Sequence, residues 1–129
     1  MDANALFLPF SLGILLGDEA ERLLGPVDLA VPSSVRLELE TLVARKAPAA
    51  EAARELSKRF PTVRAAGRGD GAVLAAAVRR QAVVVTADRG LALRLREVGV
   101  PVLKPRGPGR LALALPRRGS TSRPTRPAK

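Results

Sequence analysis

The chain predicts an α/β fold, a sandwich of helices around a parallel sheet, on three observations. Short apolar runs alternate with helical stretches. The clearest run, AVVVT at 82–86, is apolar at consecutive positions, the pattern of a strand covered on both faces. Apolar residues make up 47% of the 129, carried by Ala, Leu and Val with three Phe and no Trp or Tyr, so the core must be aliphatic. Sheets of this kind place their sites beyond the carboxyl ends of the strands, where strand order reverses. Any candidate site has to meet that test.

Each element has its own signal. Residues 5–16 are apolar but interrupted by Pro9 and Gly13, too short for a membrane span. DEAERLL at 18–24 is a short helix with acids in its first turn, where the helix dipole favours them. VDLAV at 27–31 is a strand, and Pro32 opens a helix at a position where its missing N–H costs nothing. A second helix runs from about 49 to 60 and stops at Pro61, and residues 62–66 are a further strand. GRGDG at 67–71 is a turn leading into an Ala-rich helix that reaches Arg80. After the strand at 82–86, residues 88–98 are helical with Gly99 as the stop, and 100–103 form another strand. LALAL at 111–115 adds an edge strand. The domain is expected to occupy residues 1–106, with 107–129 a basic Pro- and Arg-rich tail, mostly disordered.

Composition excludes whole classes of chemistry. There is no Cys and no His, which removes disulfides, thiolate and imidazole metal sites, and Ser-His-Asp or Cys-His catalysis. Catalysis would have to use carboxylates, hydroxyls, lysines or a metal held by oxygen. No secretory signal is visible, so a cytoplasmic protein without membrane association is expected. The net charge of +10 sits mostly at one end: eight basic and no acidic residues follow position 103. Such a tail attracts polyanions without reading sequence, or serves as a solubilising extension.

Of the twelve acidic residues, four do not read as ordinary surface charge. Asp70 begins a helix whose apolar face is Val73, Leu74, Ala77 and Val78, and it points along that face. Glu38 borders the stripe of Val35, Leu39, Leu42 and Val43, whereas Glu40 faces away. Asp88 directly follows the buried strand, with Thr86 two residues before it. Asp2, with Asn4, precedes the first apolar run. Singly, each has an ordinary explanation: an N-cap for Asp70 and Asp88, a boundary ion pair for Glu38. Together they are acids near the beginnings of elements that can converge on one edge of the sheet. Crowded carboxylates repel and are tolerated mainly when cations neutralise them. An oxygen-only set favours Mg²⁺ or Mn²⁺, and two such ions can activate water and stabilise both oxygens of an in-line phosphoryl displacement.

These residues resemble the PIN-domain family of metal-dependent ribonucleases. DANALF at 2–7 resembles its Asp-x-Asn start, VPSSVRLELETL at 31–42 its strand, proline and helix block, and GRGDGAVLAAAV at 67–78 its third block. VVVTADRGLALRLREVGVPVL at 83–103 is similar to its Thr-x-Asp block, helix and final strand. The likeness covers about residues 1–104 and looks closer to archaeal PIN proteins, including relatives of ribosomal RNA processing factors, than to antitoxin-paired toxins. It implies a three-layer sandwich with a parallel, roughly five-stranded sheet, and Mg²⁺- or Mn²⁺-dependent cleavage of RNA. It implies Asp2, Glu38, Asp70 and Asp88 as the catalytic, metal-binding set, with Asn4 and Thr86 orienting them. RNA is the implied partner, an antitoxin or a ribosome-assembly factor a further one, and a homodimer a frequent state.

Two departures bear on this expectation. Family members carry about five apolar residues before the first acid, as the central first strand, whereas only Met1 precedes Asp2. The first strand is therefore expected to be truncated, through a start codon assigned too far downstream, and a chain beginning at Met1 to be unstable or poorly active. A second acid common after the third-block Asp is replaced by Gly71. The alternative is thus a catalytically degenerate PIN module that binds RNA or protein. A nucleotide-binding α/β domain is disfavoured, because GRGDG lacks the Gly-x-Gly-x-x-Gly spacing. With no Trp or Tyr to stack on bases, RNA binding would be backbone-driven, with Arg110, Arg117 and Arg118 as contacts.

Overall fold

Asp2 opens the first helix. In the computed structural model, which describes residues 1–116, its carboxylate accepts a hydrogen bond from the Ala5 N–H at 2.9 Å and caps α1 (Ala3–Ser11). The apolar run at 5–16 is therefore two pieces: α1 tolerates Pro9, Gly13 turns with φ +65°, and α2 (Leu16–Leu24) begins. The chain continues through β1 (Val31–Pro32), α3 (Ser33–Ala44), α4 (Ala50–Ser57), β2 (Thr62–Val63) and α5 (Gly69–Arg80). It ends with β3 (Val84–Val85), α6 (Arg89–Glu97), β4 (Val102–Pro105) and β5 (Leu111–Ala114). Residues 117–129, with Arg117, Arg118 and most of the expected tail, lie outside the described residues.

The α/β class stands, but the single parallel five-stranded sheet does not. β1 and β2 pair in parallel as one small sheet, and β3, β4 and β5 form another. Between the two stand only Met1 and Asp2: the Met1 ammonium donates to the Ala30 carbonyl at 3.1 Å, and the Asp2 N–H donates to the Val85 carbonyl at 3.2 Å. With these two residues bridging them, no continuous ladder joins the halves among the described residues. The strands are correspondingly short. Residues 27–31 contribute only Val31 to β1, and 82–86 only Val84 and Val85 to β3. The second sheet is also mixed: β3 and β4 run parallel, whereas β4 and β5 run antiparallel. The cause is local. RGPGR at 106–110 closes a hairpin through Arg106 N–H to Arg110 carbonyl at 2.9 Å, with Gly107 and Gly109 at φ +70° and +74°. A turn that short can return the chain only antiparallel.

The core is aliphatic and continuous, drawing Leu6 and Ile14, Leu39 of α3, Leu91 and Leu95 of α6 and Leu103 of β4 out of water. Each such side chain contributes roughly 1.5–3 kcal/mol of transfer free energy. Arg36 fixes α3 to the segment that enters β2. Its guanidinium donates to Thr62 Oγ1 (2.6 Å), the Phe60 carbonyl (2.6 Å), and the Ser57 carbonyl and Oγ (3.1 and 3.2 Å). Ser33 Oγ, at the start of α3, accepts from the Ala65 N–H at 2.9 Å and reaches the Ala65 carbonyl at 3.2 Å. These bonds set the angle at which α3 leaves the sheet. Among the described residues no helix is long and apolar enough to cross a membrane.

Candidate active site

The acids gather where the parallel strands end. Thr86 and Asp88 follow β3, Ser34 and Glu38 lie on the helix that follows β1, and Asp2 sits between the two half-sheets. Thr86 is fully buried and couples two of them: its hydroxyl donates to Asp2 Oδ2 and accepts from the Asp88 N–H at 3.0 Å. Each of these acids also caps a helix. Asp2 Oδ1 accepts from Ala5, and Asp88 Oδ1 accepts from the Leu91 N–H at 3.0 Å. The capping and site roles are therefore compatible, because a carboxylate oxygen has two lone pairs and one bond leaves room for another.

Glu38 and Asp70 form the other pair. Asp70 lies exposed in the first turn of α5 and is not its cap; that position belongs to Arg68, whose side chain makes no capping bond. Glu38 is exposed on α3, and Glu40, two residues on, forms an ion pair with Arg54 at 2.9 Å. Glu38, Glu40, Arg68 and Asp70 line an open hollow of about 500 Å³ together with Ser34. The Ser34 hydroxyl is buried with no hydrogen-bond partner among the described residues. It was not anticipated from sequence, although it stands one helical turn before Glu38, on the same face. Asn4 is exposed in the first turn of α1, and its side chain makes no bond to a described residue.

The electrostatics tie these groups together. Burial pushes the Asp2 carboxyl up to about 6, against the Thr86 and Ala5 hydrogen bonds and the Met1 ammonium, which favour its charge; Glu38 adds to the rise. Burial likewise lowers the Met1 ammonium to about 6, with Asp2 opposing. Partial desolvation, then repulsion from Asp70, holds Glu38 above the usual carboxylate range. Asp2, Glu38 and Asp70 thus feel one another in sequence, yet among the described residues no three acids close into a group that would grip an ion as they stand. The donor set nonetheless fits a hard divalent cation: it is all oxygen, and a cation would offset the repulsion between Asp2 and Glu38 and between Glu38 and Asp70 that adds to the effect of burial.

Cations stand beside the acids. Arg89, Arg96 and Lys104 line a second hollow of about 550 Å³ with Thr86 and Asp88. Arg106 and Arg110, in the β4–β5 turn at the same end of the sheet, line another with Arg22. Of the basic residues picked out from sequence, Arg110 is thus placed near the strand ends. Glu19 was expected to be plain surface charge. Instead it pairs with Arg22 at 2.8 Å and accepts the Leu111 N–H at 2.9 Å, tying α2 to β5. A family model described as a PIN-like domain matches residues 1–108, and a search of curated proteins finds no match to the chain.

Proposed function

Because the chain belongs to the PIN-like domain family, whose members are in general nucleases, we propose that it is a Mg²⁺- or Mn²⁺-dependent endoribonuclease. The observation that carries this reading is the Asp2–Thr86–Asp88 linkage at the strand ends, with Glu38 near enough to repel Asp2 and Asp70 near enough to repel Glu38. In this reading Asp2, Asp88, Glu38 and Asp70 hold the cation. A bound divalent cation would supply positive charge to offset that of the phosphodiester oxygens and would lower the pKa of water, making hydroxide available as the nucleophile near neutral pH. Thr86 locks the Asp2 carboxylate in orientation, and Glu38 positions the attacking water. The free hydroxyl of Ser34 is available to bond either that water or a phosphate oxygen. Arg89 and Lys104 meet the phosphates to one side of the scissile bond, and the strand leaves over Arg106 and Arg110. With few aromatics to stack on bases, grip comes from the backbone and is weakly selective for sequence.

A binding module without cleavage is the second reading, favoured by the acids standing as two pairs rather than one closed group. Both readings meet in one assay: Mn²⁺-dependent cleavage of a mixed RNA pool by the chain and by Asp70→Asn. Cutting that disappears in the variant and with chelator is expected. Equal cutting by both would remove the four-acid site from consideration. No cutting by either, with RNA binding retained by both, would establish the binding module.

A further inference from the structure

Ser34 is the second residue of α3 and shares a helix face with Leu37, Glu38 and Thr41. With Arg68, Gly69 and Asp70 at the start of α5, these residues line the open hollow of about 500 Å³. Two hydroxyls are among them. Thr41 donates to the Leu37 carbonyl of its own helix at 3.3 Å, whereas Ser34, only 7% exposed, has no partner among the described residues. A buried hydroxyl that bonds to nothing is destabilising and calls for a partner. Because a serine hydroxyl moves between staggered positions about one bond, a ligand in the hollow can draw it out.

Charge narrows the choice of ligand. Glu38, Glu40 and Asp70 line the hollow against Arg68 alone, and Glu40 is already paired with Arg54. The cations suited to phosphate, Arg89, Arg96 and Lys104, line a separate hollow in the half of the fold built from β3, β4 and α6. A phosphate oxygen is drawn to that side and repelled from the Ser34 side. The sugar beside a phosphate is neutral, and unlike the bases it is constant along a strand. A ribose offers apolar carbons to the exposed Leu37 and a 2′-hydroxyl that both donates and accepts, the two capacities that Ser34 has unmet. A strand whose phosphate reaches the acids carries that hydroxyl close to Glu38, one helical turn from Ser34.

Given the nuclease reading of the same acids, on which this rests, we propose that Ser34 is the residue that selects RNA over DNA. Its hydroxyl bonds the ribose 2′-hydroxyl of a nucleotide beside the scissile phosphate. RNA completes the buried hydroxyl. DNA covers it and leaves it unpaired, and a site built around a substrate hydroxyl rejects the analogue that lacks it.

The test uses the full chain, its Ser34→Ala variant, and a short single-stranded RNA whose cut has been mapped in Mn²⁺. Two further oligonucleotides each lack one 2′-hydroxyl, on the nucleotide 5′ or 3′ of the cut. One of these deletions is expected to slow the parent about tenfold, the effect of one well-made hydrogen bond. Ser34→Ala is expected to slow the all-RNA substrate by a similar factor and to make that deletion nearly indifferent, so that the two changes do not add. Its melting temperature should match or exceed the parent's, because an unpartnered buried hydroxyl is removed; a lowered one, with equal losses on all three substrates, would assign Ser34 to the fold. Additive losses would overturn the proposal and give the hydroxyl to water or a phosphate oxygen, which DNA supplies as well. Unchanged cutting of RNA by Ser34→Ala would overturn it too. Anisotropy of labelled RNA and of DNA of the same sequence, with Ca²⁺ as the hard cation, separates the contact from the nuclease reading. If the parent cuts nothing yet binds RNA more tightly than DNA, and Ser34→Ala loses that preference, the ribose contact stands without cleavage. The same preference in both proteins would overturn the contact whether or not the chain cuts.

Discussion

Asp2 serves three purposes at once: it caps α1, accepts the Thr86 hydroxyl, and holds a charge that its surroundings disfavour. Its folded-state pKa, about 6, lies above the ordinary aspartate value of 3.8, so the folded state binds the proton more tightly. The stability this contributes is complete below pH 4 and is lost as the pH rises through 6. Two pKa units correspond to about 3 kcal/mol. In the absence of divalent metal, Asp2→Asn is therefore expected to be more stable than the parent above pH 6, by about 1–3 kcal/mol, with the advantage disappearing near pH 4. Urea melts of both proteins across that range measure it; a pH-independent difference would contradict the cause. Mg²⁺ should stabilise the parent and not the variant. At this scale the sequence was partly legible. Thr86 and Asp88 are two residues apart at the end of an unmistakable strand, so their proximity is written in the chain. Ser34 and Glu19 were not legible, because the burial of one hydroxyl and the distant Leu111 partner of one carboxylate are tertiary facts.

Arg36 acts on an element, since four hydrogen bonds from one guanidinium hold α3 to residues 57–62. Arg36→Met is expected to cost about 2–4 kcal/mol, because the carbonyls of Ser57 and Phe60 would lose their donors. Thermal melts give the stability change. A simultaneous weakening of Mn²⁺ affinity would reflect the loosened footing of Ser34 and Glu38, which ride on the same helix. The helices after α1 were readable, because prolines, glycines and first-turn acids mark their ends locally. Strand lengths were not, since a strand persists only as far as its neighbours pair with it. β1 and β3 therefore shrink to two residues each. α1 was hidden for another reason: Pro9 reads as a breaker, yet it sits late in a short helix whose start Asp2 secures.

Over the whole molecule, positive charge is distributed about the same sheet end as the acids. Lys104 and Arg106 are both exposed there, beyond or at the end of β4. Replacing both with Ala should weaken binding of single-stranded RNA about equally for unrelated sequences. It should also reduce the slope of log affinity against log salt by about 1.4, roughly 0.7 for each phosphate contact. An unchanged slope would place the RNA path elsewhere. Charge asymmetry was visible in the sequence, but its location was not. The excess was assigned to the residues after 103, and three of these, Lys104, Arg106 and Arg110, stand on the described fold at the sheet end. The narrow seam between the half-sheets carries a last consequence. Met1 bonds to one half through Ala30 and Asp2 to the other through Val85 and Thr86, so the backbone that carries the site's first acid also couples the two halves of the fold. Cooperativity of unfolding and competence of the site then rise and fall together: a molecule whose halves breathe apart has, by the same opening, dismantled its acids.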